Sequence, residues 1–279
     1  MSNISLSKDF QTGLMKRLEG LFSADSIFTT LNQDRIFINL VENLKRILIE
    51  DKYVLIKGLP AGTSQNRDFF AAFVRMFGEY YGTVEFTGIK IDCHYTGCSR
   101  NALTLHNDDA IDLLNQPKYG FIQVIKNDPL FDVKNGVVLI RELVRLLKFE
   151  QPDLLQDLLT KPIPMLSYGV NFESNKKQEL ICHENILLKT DTGYKVRFDF
   201  DRNRYYYQMK KIKQSYAEAK MIYDFLQYAN KVKKSTFLDK GDVLILDNHE
   251  TLHDRGECSV TYEADGRINS REIFVSFVR

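Results

Sequence analysis

From about residue 84 to the C-terminus the chain runs through one short extended segment after another, and this succession limits the fold more than any other feature. The segments are "TVEFTGIKID", "YGFIQVIK", "PMLSYGVNF", "ICHENILLKT", "YKVRFDF", "GDVLILDN" and "REIFVSFVR". Two helical stretches interrupt them, Leu139 to Lys148 and Ser215 to Lys231. A doubly wound sheet needs a helix between most pairs of strands, so this pattern favours an antiparallel sandwich or barrel.

The first third alternates helical and extended signals. "SKDFQTGLMKRLEGLF" places Phe10, Leu14, Leu18 and Leu21 at helical spacing behind Ser7 as N-cap, and Leu40, Leu44, Ile47 and Leu48 repeat that period. "YVLIKGLP" reads as a buried strand stopped by Gly58 and Pro60. "NRDFFAAFVRMFGEYYG" reads as a helix with Phe69, Phe70, Phe73, Val74 and Phe77 on its apolar face. The expected fold is α+β and β-rich, a double-stranded β-helix (jelly-roll) core with flanking helices. A single domain, 1–279, is expected, with residues 1–83 mainly helical and packed on a core of 84–279.

Charge and cysteine content narrow the function classes. The 38 basic and 37 acidic side chains nearly cancel, which gives no surface suited to nucleic acid or an anionic membrane. No apolar run approaches the roughly 18 residues of a membrane span. Four cysteines, Cys93, Cys98, Cys182 and Cys258, make no disulfide framework in a chain of this size, and a cytoplasmic setting is expected. "CHYTGC" offers Cys93, His94 and Cys98, but no second cysteine pair follows at zinc-finger spacing. The expected partner is a small-molecule substrate, with oligomeric state open and a homodimer included.

The stretch "LDNHETLHDRGE" admits two metal readings. His249, Glu250 and His253 fit the H-E-x-x-H pattern of a zinc metallohydrolase, which works only on a helix, where both imidazoles share one face. Yet Val243 to Leu246 suit a strand, Asp247-Asn248 is turn chemistry and Gly256 follows closely. The second reading keeps His253 and adds "LTLHNDDAIDLL", where His106 and Asp108, two apart on an extended segment, point the same way. Two histidines and one carboxylate form the facial triad of non-haem Fe(II) oxygenases. His249 is the rival of His253 as ligand. Further on, even spacing along "GRINSREIFVSFVR" puts Arg267 and Arg271 on one face with Ile273, Val275 and Phe277. Either that face lines the barrel and each arginine needs an anion, or the strand is an edge whose arginines meet solvent.

With these residues in view, the sequence resembles the Fe(II)/2-oxoglutarate-dependent dioxygenases of the taurine dioxygenase and clavaminate synthase superfamily. "LHNDD" resembles the family's H-x-D/E segment, "GDVLILDNHETLHDRGE" its strand, Asn turn and distal histidine, and "GRINSR" its arginine pair. "YVLIKGLP" and "FGEYYG" resemble its N-terminal strand and helix end, so the likeness runs from about residue 50 to 279. The resemblance implies Fe(II) held by His106, Asp108 and His253, and 2-oxoglutarate with its distal carboxylate on Arg267. It also implies O2 as oxidant and Arg271 as a clamp for a substrate's acidic group. Two departures are visible. Val138, in "NGVV", stands where relatives carry a threonine that helps hold the co-substrate, and Asp254 stands where they commonly have glycine.

An aspartate at position 108 fills the coordination site that halogenating relatives leave open, so the resemblance implies hydroxylation, with desaturation or ring closure as variants. Asp109, and less so Glu85, are candidates to pair with a substrate ammonium group, although Asp109 also reads as an ordinary turn residue. Cationic and anionic handles together suit a free L-amino acid, a basic one included, in line with a looser resemblance to the compact free-lysine oxygenase branch. A jelly-roll metabolite-binding protein without chemistry is the remaining alternative. His94 and His183 read as packed or surface groups. Tyr205 to Tyr207 read as packing on a strand or loop.

Overall fold

The computed structural model describes residues 2–60, 66–80, 84–90, 96–111, 116–171 and 176–279. The chain opens with β1 (Asn3–Ser5), α1 (Lys8–Leu18), α2 (Ala24–Leu31), α3 (Arg35–Asp51), β2 (Tyr53–Lys57) and α4 (Asn66–Arg75). It continues through β3 (Glu85–Gly88), β4 (Leu103–His106), β5 (Tyr119–Lys126), β6 (Lys134–Leu139), α5 (Ile140–Glu150) and α6 (Pro152–Thr160). The hairpins β7 (Ile163–Asn171) with β8 (Lys176–Glu184) and β9 (Leu187–Thr190) with β10 (Gly193–Val196) come next, then α7 (Phe200–Lys210) and α8 (Tyr216–Val232). The chain closes with β11 (Lys234–Phe237), β12 (Val243–Asp247), β13 (Thr251–Arg255), β14 (Val260–Tyr262), β15 (Ile268–Ser270) and β16 (Glu272–Val278).

Two sheets carry the architecture. One has the order β1-β2-β12-β5-β16-β3 and the other β11-β6-β13-β4. All their pairings are antiparallel except β1 with β2. Strand alternation shows how they stack. Val54 and Ile56 of β2, and Val243 and Ile245 of β12, join an apolar layer with α1 to α4. Their neighbours Tyr53, Leu55, Leu244 and Leu246 face the opposite way and meet Val137 and Leu139 of β6. Val138 and Leu252 then turn outward onto α5, α6 and α8. The order is therefore helices, large sheet, small sheet, helices, a jelly roll clad on both outer faces. Burial on both sides explains why β12 reads as an unbroken apolar run rather than an alternation.

The helices begin where local chemistry directs. The Ser7 hydroxyl accepts from the Phe10 N–H at 3.1 Å, Ser23 caps α2 through Ser26, and the Asp34 carboxylate caps α3. Phe69, Phe70, Phe73, Val74 and Phe77 are buried, as the apolar face of α4 requires. Before residue 84, β2 stands where "YVLIKGLP" reads as a strand, and β1 beside it forms one edge of the large sheet. "ICHENILLKT" divides between β8 and β9 at Asn185-Ile186. Tyr205 to Tyr207 lie in helix α7 rather than on a strand or loop, because the Asp199 carboxylate accepts from the Arg202 N–H and starts a helix there. No helix among the described residues is long and apolar enough to cross a membrane. Cys182 and Cys258 are free thiols, and Cys98 is disulfide-bonded. Cys93 and His94 of "CHYTGC" lie outside the described residues.

Candidate active site

The site forms where β4 and β13 run side by side. Their antiparallel register sets His253 directly opposite His106, with ring centroids 4.2 Å apart. Asp108 follows β4 by two residues, in a turn. Its carboxylate oxygens lie 3.8 Å from His106 Nε2 and 3.5 Å from His253 Nε2. One donor atom from each of the three residues falls within 4.8 Å of the others, and this is the group that could hold a metal ion among the described residues. His106 Nδ1 sits 2.8 Å from the Thr104 carbonyl, so it donates there and leaves the Nε2 lone pair for a metal. Two imidazoles and a carboxylate converging in this way fit a divalent iron.

The other histidines are placed elsewhere. His249 and Glu250 belong to the turn between β12 and β13, not to a helix, so the H-E-x-x-H pattern does not put its two imidazoles on one face. His249 lies outside the three-residue cluster. Glu250 points to the N-terminal helices and pairs with Lys52 at 2.7 Å. His183 stacks edge-on against Tyr206.

A cavity of about 640 Å³ opens from the cluster. Ile273, Val275 and Phe277 of β16 and Ile122 of β5 form its apolar wall. Glu85, Asp109, Asp199 and Arg202 line it with charge. Asp109 holds a left-handed backbone (φ 50°) beside the candidate ligand Asp108, an unusual conformation for a residue with a Cβ. Burial pushes the Asp108 carboxyl upward, against the pull of His106. Burial, then His106, holds the His253 imidazole well below its usual value and so unprotonated, the form that ligates a metal. The Glu85 carboxyl is also raised, first by burial and then by the carboxylates of Asp108 and Asp109.

The two arginines part company. Arg271 lines the cavity on the face shared with Ile273, Val275 and Phe277, as the even spacing predicts, and is 5% exposed. One guanidinium nitrogen donates to Asn135 Oδ1 at 3.0 Å. Burial draws its pKa down to about 10, still far above neutrality, so it remains a cation. Arg267, in contrast, does not share that face. The chain doubles back at Glu263 to Gly266, where Gly266 takes φ +81°, so β15 pairs with β14 and the strand does not run on unbroken from 267. Arg267 is left 74% exposed, paired with Asp265 at 2.5 Å and Glu263 at 3.1 Å.

One further expectation is corrected at β6. Val138 faces the outer helices, not the cavity. The polar residue of β6 inside is Asn135, which sequence reasoning missed. Alternation from Val137 and Leu139 signals its direction, but its pairing with Arg271 depends on strand register. Asp254 has a structural task in place of the relatives' glycine. Its carboxylate accepts from the Gly136 N–H and from Lys233 Nζ, both at 2.7 Å. A Cβ at Gly136 would meet Asp254 Oδ1 at 2.3 Å, so Gly136 and Asp254 are matched across the strands.

Fold and site together define a 2-oxoglutarate-dependent non-haem iron dioxygenase, an enzyme class that uses Fe(II), 2-oxoglutarate and O2. The chain belongs to the TauD, TfdA family of taurine catabolism dioxygenases, matched over residues 16–271. A comparison with curated proteins finds no match. Among solved structures, an asparagine oxygenase in complex with Fe(II), 2S,3S-3-hydroxyasparagine and succinate is similar at a TM-score of 0.72 and 15% identity. That similarity covers 100% of this chain and 93% of that one. The non-haem iron oxygenase OrfP in complex with Fe and L-Arg is similar at a TM-score of 0.64 and 17% identity, covering 100% and 94% of the two chains. At these identities the likeness shows the fold.

Proposed function

We propose that this enzyme hydroxylates an unactivated C–H bond of a free L-amino acid, a basic one fitting best. His106, Asp108 and His253 hold its Fe(II). The observation that carries the reading is the convergence of those three side chains, from β4, the turn after it and the neighbouring strand β13, on one point at the cavity wall. When bound, iron with 2-oxoglutarate and O2 supplies oxidative decarboxylation to succinate and CO2, coupled to transfer of one oxygen atom into the substrate. The protein's part is to place the reactants. Arg271, steadied by Asn135, takes the distal carboxylate of 2-oxoglutarate through a bidentate fork in a water-poor pocket, the role first expected of Arg267. The Asp108 carboxylate occupies the position that a halide would need, which favours hydroxylation.

The substrate end is acidic. Glu85, Asp109 and Asp199 line the cavity beyond the cluster. The Glu85 carboxyl is raised first by burial and then by the carboxylates of Asp108 and Asp109, a repulsion that an ammonium group would relieve. Arg202, within reach of Asp199 at 3.7 Å, offers a cation on the same wall for a carboxylate. The 3-hydroxyasparagine bound by the asparagine oxygenase, and the L-Arg and (3S)-hydroxy-L-Arg bound by OrfP, support the same class.

Anaerobic titration of the metal-free protein with Fe(II) and 2-oxoglutarate tests the site. A visible metal-to-ligand charge-transfer band is expected, and it should vanish in His106→Ala and His253→Ala. No band, with tight zinc binding that depends on His249, would restore the metallohydrolase reading. For the substrate, a panel of amino acids is scored by succinate release. The proposal fails at that level if none of them stimulates it.

A further inference from the structure

The proposed metal ligands sit at the end of β4, in the turn after it and midway along β13, and something must fix the turn. Asp108 lies beyond the last residue of β4, so its backbone N–H and C=O have no ladder partner. Both are met by one side chain from 140 residues away, and the carbonyl accepts a second, longer bond from Gln116 Nε2 at 3.3 Å. Asn248 Oδ1 accepts from the Asp108 N–H at 2.8 Å, and Asn248 Nδ2 donates to the Asp108 carbonyl at 2.9 Å and to that of Pro117 at 3.1 Å. Asn248 is 1% exposed, and its backbone is fixed in turn. Its N–H donates to the Lys118 carbonyl at 2.8 Å, and its carbonyl accepts from Asn107 Nδ2 at 3.1 Å. Asn107, equally buried, accepts from the Phe198 N–H at 2.7 Å and donates to the Val196 carbonyl. The two asparagines thus splice the turn after β4 to the turn before β13.

We infer that Asn248 is a positioning residue for the metal site, acting through Asp108. Its primary amide presents one acceptor and one donor in the spacing of a peptide group, so it substitutes for the missing strand neighbour of Asp108. An ionised aspartate, which only accepts, could not satisfy both sides. The neighbouring left-handed residue Asp109 makes the turn costly to hold without such a brace. Asn248 stands five residues before His253 on a connection of one turn, so the clamp sets the carboxylate against the distal imidazole, while chain connectivity sets it against His106. The carboxylate is placed before any metal arrives. Groups that orient ligands in this way typically contribute about 10- to 100-fold to metal affinity.

The inference rests on the three-residue metal site proposed above, and a double-mutant cycle separates the two. Fe(II) affinity is measured anaerobically by calorimetry for the unmodified enzyme, Asn248→Ala, Asp108→Ala and the double variant, with Asn248→Asp run in parallel. Folding of each is verified by circular dichroism. Asn248→Ala is expected to weaken Fe(II) about 10- to 100-fold in the native background and to have no further effect once Asp108 is gone. Equal losses in both backgrounds would reduce Asn248 to a general structural role and overturn the inference. If Asp108→Ala itself leaves Fe(II) binding unchanged, it is the metal site that fails. Independently of any variant, the Asp108 amide should exchange slowly with solvent deuterium in the metal-free enzyme. Fast exchange that slows only on adding Fe(II) would show that the metal, not Asn248, orders the turn.

Discussion

Arg271 and Arg267 stand four residues apart and meet opposite solvents. Arg267 lies on the β14–β15 turn, 74% exposed, with two carboxylates of its own turn supplying its counter-charge in water. Arg271 lies at the root of β16, 5% exposed, with an uncharged amide as its hydrogen-bond partner and a second guanidinium, Arg255, near enough to repel it. The same functional group is therefore a solvated surface charge in one place and a desolvated cation in the other. Only the second has binding energy to release when a carboxylate arrives, because the cost of removing it from water is already met by the fold.

The sharpest way to break this contrast is to delete each charge in turn. Arg271→Ala should weaken 2-oxoglutarate by at least about 100-fold, roughly 3 kcal/mol, as expected for one partner of a buried charge pair. Arg267→Ala should leave it within about twofold, since exposed pairs contribute less than about 1 kcal/mol. Anaerobic titration of the charge-transfer band reads both. The reverse ranking would return the co-substrate to Arg267, with Arg271 on the substrate.

Ligand stabilisation without iron sharpens it further. Succinate at about 100 times its dissociation constant should stabilise the metal-free enzyme by about 2.7 kcal/mol, a rise in Tm of roughly 5 to 10 °C. Arg267→Ala should respond equally and Arg271→Met not at all in thermal melts. A smaller effect belongs to Asn135, which orients the guanidinium without carrying charge. Asn135→Ala should weaken 2-oxoglutarate about tenfold, near 1.4 kcal/mol, and leave Fe(II) binding intact. A loss as large as that of Arg271→Ala would mean that Asn135 holds the co-substrate itself.

What could be read in the sequence follows the range of the forces involved. Local signals were legible: the Ser7 cap, the aromatic face of α4 and the doubly buried run of β12. The Arg271 side of β16 was legible for the same reason, since alternation is a local property. His106 and Asp108 do lie together, but on a strand end and the turn after it, not on one extended segment. Arg267 was misplaced because its position depends on a hairpin whose pairing partner, β14, leaves no periodic signature in three residues. Asn135 and Asn248 were missed as site residues because each acts through a contact 136 or 140 positions away, set by register and not by composition. Tyr205 to Tyr207 were misread because β-branched and aromatic propensity is weak next to one well-placed cap at Asp199.

Glu250 gives the smallest expected effect and the cleanest separation of chemistry from pattern. In an H-E-x-x-H helix the glutamate is the general base, and Glu250→Gln would abolish turnover. Here its carboxylate reaches away from the cluster to Lys52, a residue in left-handed conformation at the C-terminal end of α3. Both partners are partly exposed, 19% for Lys52 and 29% for Glu250, so screening keeps the pair weak. Its neighbour Asp247 compensates in part, because the negative charge of Glu250 helps to raise the Asp247 carboxyl after burial has done most of the work. Glu250→Gln removes an attraction to Lys52 and a repulsion from Asp247 together. The expected outcome is a stability change within about 1 kcal/mol in urea unfolding and succinate release unchanged within about twofold. Loss of activity with a folded, iron-loaded protein would show that the turn carrying Glu250 communicates with His253 through more than chain connectivity.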